Sequence, residues 1–139
     1  MPPQPEFVIF AHHATYDTLH QVATLGLTAA AMGKDVIVIL LFWTIKKLAE
    51  GKIDEIDFPQ EYASSANEVA RLLKEKNVPK ISEMFQDAKH VGKFRLIACS
   101  AGLEYMGVDS AVVEKNVDEV MGLPAIIALT SDAETKLFI

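Results

Sequence analysis

The single cysteine is the residue best suited to chemistry in this chain of 139 residues. Cys99 follows the predicted strand over residues 94–98, so it falls where that strand gives way to a helix predicted over about residues 101–106, and Ser100 and Gly102 belong to the same junction. The unpaired N–H groups at the start of a helix stabilise a thiolate, which is the nucleophilic form of cysteine. The alternative is an inert cysteine that packs as a small hydrophobic residue. One cysteine excludes an intramolecular disulfide and dithiol redox chemistry.

A second group of polar residues follows the first predicted strand. His12 and His13 lie in the loop after that strand, and Asp17 and His20 follow three residues apart in the next predicted helix. Histidine and carboxylate side chains suit zinc or iron, but this spacing matches no standard zinc signature. We therefore predict no bound metal and no cofactor. His12 or His13 is instead a candidate ion-pair partner of the cysteine, and exposure to solvent or local hydrogen bonding is the alternative.

Trp43 ends the second predicted strand, at the same edge of the sheet as these loops. Ligands of open α/β sheets bind beyond the carboxyl ends of the strands, so its ring is a candidate for substrate contact, with core packing as the alternative. We interpret the carboxylates of residues 50–61 as groups that solvate a surface segment. The sequence has no Walker motif, no G-x-G-x-x-G and no G-x-S-x-G, which argues against nucleotide binding and serine hydrolase chemistry.

The composition places limits on the class of protein. Half of the residues are apolar and the net charge is −6, which excludes disorder and disfavours binding to nucleic acid or to anionic lipid. The longest apolar run, residues 36–43, is far shorter than the roughly 20 residues that span a bilayer. With one cysteine and no visible targeting segment, the sequence predicts a soluble, cytoplasmic protein.

The elements that position these residues follow from the apolar pattern. Short apolar runs alternate with longer periodic ones, which is typical of βα units around a mostly parallel sheet. We predict one domain over residues 1–139, a three-layer α/β/α sandwich with four or five strands, after a flexible lead-in at residues 1–5. Ser65 and Glu68 predict a capping box at the start of the third helix. Strands are predicted over residues 7–11, 36–42, 94–98, 117–121 and 136–139.

The first predicted helix is apolar on two sides. Leu25, Ala29 and Met32 continue an apolar surface away from the side that packs on the sheet. Exposed apolar patches beyond a few hundred Å² usually mark interfaces, and closed symmetric assemblies are the usual way to cover them. We therefore predict a homo-oligomer.

Two stretches of the chain resemble the DsrE/DsrF/DsrH-like family of sulfur-relay proteins, in particular its stand-alone DsrE-like branch. The first is A-A-A-M-G-K-D-V at residues 29–36, which leads into L-F-W at residues 41–43. The second is A-C-S-A-G-L-E-Y-M-G at residues 98–107, where Met106 and Gly107 follow the cysteine at seven and eight residues. The resemblance extends over nearly the whole chain.

This resemblance implies a three-layer α/β fold, trimers or hexamers, and a persulfide-carrying cysteine, which here is Cys99. Gly102 stands where related sequences often have Ser or Thr, and His12-His13 replaces a small polar loop. We predict a sulfur-relay protein, either a sulfurtransferase or a sulfur carrier, that accepts sulfane sulfur on Cys99 and exchanges it with donor and acceptor proteins. The alternative is a non-enzymatic oligomeric module that binds a small ligand or metal through the loop after the first strand.

Overall fold

A computed structural model describes residues 4–139, so most of the predicted lead-in lies outside the described residues. Pro5, its last residue, is buried, and the N–H of Glu6 donates to the carbonyl of Asp35 at 2.9 Å. The described residues form five strands: β1 (Phe7–Ala11), β2 (Asp35–Leu40), β3 (Lys93–Cys99), β4 (Glu119–Met121) and β5 (Thr135–Phe138). They also form seven α-helices: α1 (Tyr16–Ala31), α2 (Trp43–Ala49), α3 (Ala63–Glu75), α4 (Ile81–Val91), α5 (Ser100–Tyr105), α6 (Ser110–Glu114) and α7 (Leu123–Thr130).

The five strands form one sheet in the order β4-β3-β2-β1-β5, and every neighbouring pair is parallel. The predicted α/β/α sandwich is therefore confirmed, with five strands. The register aligns Ala11, Leu40 and Ala98, so the loops after β1, β2 and β3 start at the same edge of the sheet. All six residues of β2 are buried, as expected for an apolar central strand covered on both faces.

The two faces of the sheet carry different helices. Phe94 of β3 stacks on Phe85 of α4 with 5.7 Å between ring centroids, and its ring meets Gly26 of α1, so α1 and α4 cover this face. Side chains alternate along a strand, which places Cys99, five residues on, on the opposite face. The connection from β4 back to β5 reverses the direction of the strand order, so a right-handed crossover places α7 on that opposite face.

The helix boundaries correct two details of the prediction. The capping box at Ser65 and Glu68 is wrong, because a 3₁₀ turn over Gln60–Tyr62 runs directly into α3, which begins at Ala63. The strand predicted to extend to residue 42 ends at Leu40, where the chain enters a tight turn. Asp109 caps α6, since its carboxylate accepts the N–H of Ala111 at 2.9 Å.

The interpretation of the second apolar face of α1 as an exposed surface is wrong. Ala29 is buried and Leu25 is half-buried, because α4 packs along this side of α1. Met32 is exposed alone at the end of the helix. The other large apolar side chains with the highest exposure lie outside α1, among them Tyr105, Ile127 and Phe138. Within residues 4–139, no helix combines the length and apolar character needed to cross a bilayer.

Candidate functional site

Cys99 is the last residue of β3, and Ser100 begins α5 immediately after it. The thiol is only 2% exposed, whereas Ser100 lies at the surface. Cys99 occupies the N-cap position with an extended backbone, but its side chain makes no capping hydrogen bond to α5. The predicted position at a strand-to-helix junction is correct. The thiol there is enclosed by neighbouring atoms rather than presented at the surface.

Gly102 explains how closely α5 and α2 approach beside this thiol. A Cβ atom at Gly102 would lie 2.6 Å from Cδ1 of Ile45, 3.4 Å from the backbone nitrogen of Phe42 and 3.9 Å from Cβ of Cys99. A side chain at this position therefore requires Ile45 to move, so glycine suits the close approach of α5 and α2. We call this group of residues, Phe42, Ile45, Cys99 and Gly102, the thiol corner.

The thiol corner is completed by a strained turn that the sequence did not reveal. Phe42 has φ 52° and ψ −108°, close to the first central position of a type II′ turn, which favours glycine. The turn closes with a 3.3 Å hydrogen bond from the N–H of Thr44 to the carbonyl of Leu41. The fully buried Thr44 hydroxyl lies 2.8 Å from the carbonyl oxygen of Ala11 and ties the turn to β1. Surrounding contacts of this kind allow a strained residue to persist.

A separate cavity of about 620 Å³ opens beside α2. Trp43, Lys46, Lys47 and Glu50 reach it, because their spacing places them on one face of α2. The loop after β1 and the segment of residues 50–62, which we call the strap, form its other walls. Its complete lining is His13, Ala14, Thr15, Thr18, Trp43, Lys46, Lys47, Glu50, Lys52, Glu55, Asp57, Pro59 and Glu61. The structure thus brings His13 and Trp43 together, as predicted for this edge, but in a cavity whose lining does not include Cys99.

Lys47 fastens the strap to the loop after β1. Its side chain is only 8% exposed, and its ammonium nitrogen lies 2.7 Å from Oδ1 of Asp57, 2.7 Å from the carbonyl of Ala14 and 3.3 Å from the carbonyl of Glu55. An ammonium has three donors, so these acceptors use all of them. Lys47 therefore holds the cavity wall in place and has no donor left for a ligand.

Two aspartates attach the strap to helix N-termini. Oδ1 of Asp57 accepts the N–H of Tyr16 at 2.8 Å, at the start of α1, and Oδ1 of Asp54 accepts the N–H of Ser82 at 2.9 Å, at the start of α4. Burial raises the pKa of Tyr16 above its ordinary value, and the charge of Asp54 adds to this shift. The interpretation of the strap carboxylates as solvating groups is wrong for these two residues, which cap helices across long sequence separations.

The other strap charges pair near the cavity mouth. The Glu50 carboxylate lies 2.5 Å from the Lys46 ammonium and 3.3 Å from the Lys52 ammonium. Hydrogen bonds from these two lysines lower the pKa of Glu50 below its ordinary value.

The two histidines of the loop after β1 contact each other and the end of the chain. The rings of His12 and His13 lie 4.1 Å apart by their centroids, and the N–H of His12 donates to the carbonyl of Ile139, beyond β5. β2 separates β1 from β3, and a strand spacing of about 4.8 Å puts the ends of these two strands roughly 10 Å apart. The strand order therefore gives no support to a histidine–Cys99 ion pair.

Asp17 and His20 each carry a buried polar atom in α1. Oδ1 of Asp17 and Nε2 of His20 are buried without a hydrogen-bond partner among the described residues, and Nδ1 of His20 lies 3.3 Å from the Thr24 hydroxyl. No three His, Cys, Asp or Glu side chains in residues 4–139 come together as a metal site would require. The loop after β1 does not offer the metal site of the alternative prediction.

A comparison with models of known protein families gives no match for this chain, and a search of curated proteins finds no relative.

Proposed function

We propose that the protein is a sulfur carrier that holds a persulfide on Cys99 and passes the terminal sulfur to a partner. The observation that carries the proposal is the position of Cys99 as the last residue of β3, at the edge of the sheet where ligands of open α/β folds bind. Its burial supports a single-atom cargo, because the thiol corner limits the access of bulky thiols and oxidants to a sulfur atom bound there.

The transfer is an exchange of sulfur–sulfur bonds. The Cys99 thiolate attacks the outer sulfur of a donor persulfide, R–S–SH, a new S–S bond forms, and the donor bond breaks to release the thiol R–SH. An acceptor thiolate then attacks the outer sulfur, and Cys99 leaves as the thiolate. Each step exchanges one S–S bond for another, so no oxidant or reductant is consumed.

The proposal places the protein in the cytoplasm as a homo-oligomer, either a trimer or a hexamer. A reducing compartment keeps the single thiol available for exchange. Phe42 and Leu123 are exposed apolar side chains that follow β2 and β4 at the carboxyl edge, which supports docking of another copy or of a sulfur-exchanging protein there. Light scattering after size exclusion measures the assembly, and a mass of one chain contradicts this part of the proposal.

Intact-mass spectrometry tests the persulfide directly. Incubation with a polysulfide should add about 32 Da per sulfur, and dithiothreitol should remove the adduct. Cys99→Ser is the matched control, since it removes one sulfur atom at unchanged charge, and it should not gain mass. An adduct on the serine variant shows that the sulfur is held elsewhere and contradicts the proposal.

Access to the buried thiol is tested by reagent size. The small reagent methyl methanethiosulfonate should react with native Cys99 faster, relative to the unfolded chain, than the bulky reagent dithiobis(nitrobenzoate). This result indicates a local path to the thiol corner. If both reagents react only as fast as the protein unfolds, Cys99 is a structural residue and the proposal fails.

A further inference from the structure

The cavity beside α2 has the dimensions of a small-molecule site. Its volume of about 620 Å³ falls within the range of roughly 300–1,000 Å³ that is usual for such sites. Trp43 lines it with an indole ring that is 51% exposed, although aromatic rings of this size are usually largely covered. The cavity offers a guest an aromatic face that the chain itself leaves half uncovered.

The charges around the cavity favour a positively charged guest. Its lining holds three lysines and four carboxylates, a balance of −1. Asp57 and two carbonyl groups accept all three hydrogen bonds that the Lys47 ammonium can donate, while Lys46 and Lys52 both pair with Glu50. Among residues 4–139, the carboxylates of Glu55 and Glu61 form no ion pair, so they supply the negative charge that is left over.

The helix at the cavity does not favour an anion. The N-terminus of a helix ordinarily attracts negative charge, and α1 begins at this cavity with Thr15 and Thr18 in its wall. The strap already provides that charge, because the N–H of Tyr16 faces both the carboxylate and the carbonyl oxygen of Asp57 at 2.8 and 2.9 Å. A phosphate in the cavity would meet this aspartate and the surplus carboxylates.

We propose that this cavity binds a small organic ammonium ion, whose charged head lies between the Trp43 ring and the carboxylates of Glu55 and Glu61. A cation over an indole face is attracted by the negative charge of the ring surface, and a carboxylate partner adds to that attraction. This binding does not depend on Cys99 and is separate from sulfur transfer. A bare metal ion is disfavoured, since no three metal-ligating side chains cluster among the described residues.

Tryptophan fluorescence provides the test, because Trp43 is the only tryptophan in the chain. The probe is choline, compared with its uncharged carbon isostere 3,3-dimethylbutan-1-ol and with inorganic phosphate. Choline should change the emission saturably, the isostere should bind about tenfold more weakly, and phosphate should not compete. Equal binding of choline and the isostere, or competition by phosphate, overturns the proposal.

Variants assign the binding to this cavity. Glu55→Gln and Glu61→Gln should each weaken choline binding several-fold, while Glu104→Gln, at an exposed position of α5, is a matched control that makes the same change in net charge outside the lining. Trp43→Leu, followed by isothermal titration calorimetry, should weaken binding about tenfold. Equal weakening by Glu104→Gln indicates nonspecific attraction and contradicts the proposal. Cys99→Ser should bind choline unchanged, so either proposal can fail without the other.

Discussion

The thiol corner and the cavity share one short helix and differ in how the chain fills them. One face of α2 presents Ile45 to Gly102, where atoms approach so closely that a Cβ would lie 2.6 Å from Cδ1 of Ile45. The other face presents Trp43 and Lys47 to a cavity that stays open because the strap is fastened by ionic and hydrogen-bonded contacts. Apolar packing encloses one sulfur atom in the thiol corner. The ion pair and hydrogen bonds of Lys47, which we call the clasp, instead keep the cavity open for a larger ligand.

The largest expected effect comes from removing the clasp. Lys47→Met leaves Asp57 and two carbonyls without their donor. We expect the free energy of unfolding to fall by about 2–3 kcal/mol. This loss is smaller than the loss for a fully buried ion pair, because Asp57 is 44% exposed. Urea denaturation measures this change. Lys46→Met is the control, because its exposed ion pair with Glu50 should contribute little to stability. Equal midpoints for the two variants would contradict the assigned role of Lys47.

Overfilling the thiol corner should have the next largest effect. Gly102→Ala places a methyl group 2.6 Å from Cδ1 of Ile45, and overpacking of this kind costs about 1–3 kcal/mol. Ile45→Val removes that Cδ1 atom, so the double variant should lose less stability than the sum of the two single losses. Additive losses in urea denaturation would show that the close contact is not the cause.

The strained turn predicts that the protein is more stable with glycine than with alanine at position 42, which reverses the usual order of these two residues. Phe42→Gly and Phe42→Ala both remove the phenyl ring, so their difference reports the cost of a side chain at φ 52°. We expect the glycine variant to be the more stable by about 1 kcal/mol, whereas glycine is normally the less stable choice. Thermal denaturation of both variants measures the difference. A more stable alanine variant would mean that the turn relaxes without cost.

The smallest effect is expected at high pH and involves Tyr16, the first residue of α1, which contacts the strap. Its ring packs edge-on against Phe58, and its pKa is raised above the ordinary value of 10.0 by burial and by Asp54. The unfolded chain therefore loses this proton first, so the contribution to stability is complete below about pH 10 and falls as the pH rises further. Tyr16→Phe cannot ionise, and its stability relative to the parent should rise between about pH 9 and pH 11. A difference that stays constant over this range would contradict the shift.

The sequence predicted the strands because their signal is local. β1 is found over Phe7–Ala11 as predicted, and the unbroken apolar run of β2 correctly indicated a strand covered on both faces. The position of Cys99 at the end of β3 followed from the same alternation of short and long apolar segments. The fold and the edge that carries the predicted site residues were therefore predictable.

The contacts that shape the two regions were not predictable, because they join distant parts of the chain. Asp57 reaches Tyr16 across 41 residues and Lys47 reaches Ala14 across 33, and neither residue type has a local pattern that distinguishes a clasp from a solvated surface charge. The second apolar face of α1 raised the same problem, since its periodicity did not reveal whether α4 or another molecule covers it. Gly102 lies within a helix, and its neighbours in the sequence give no reason for a glycine there. Only the short distance between its Cβ position and Ile45 explains why the residue is glycine.

The attachment of the strap to two helices also has a consequence for motion. Asp54 joins the strap to Ser82 and Asp57 joins it to Tyr16, so the segment connects the start of α4 to the start of α1 without forming part of the sheet. Such a segment can open as a local unit while the strands stay paired, and the amides of Tyr16 and Ser82 should then exchange their hydrogens at a common rate, faster than those of β2. During folding the strap can close only after both helices have docked, which makes it one of the last parts of the molecule to form.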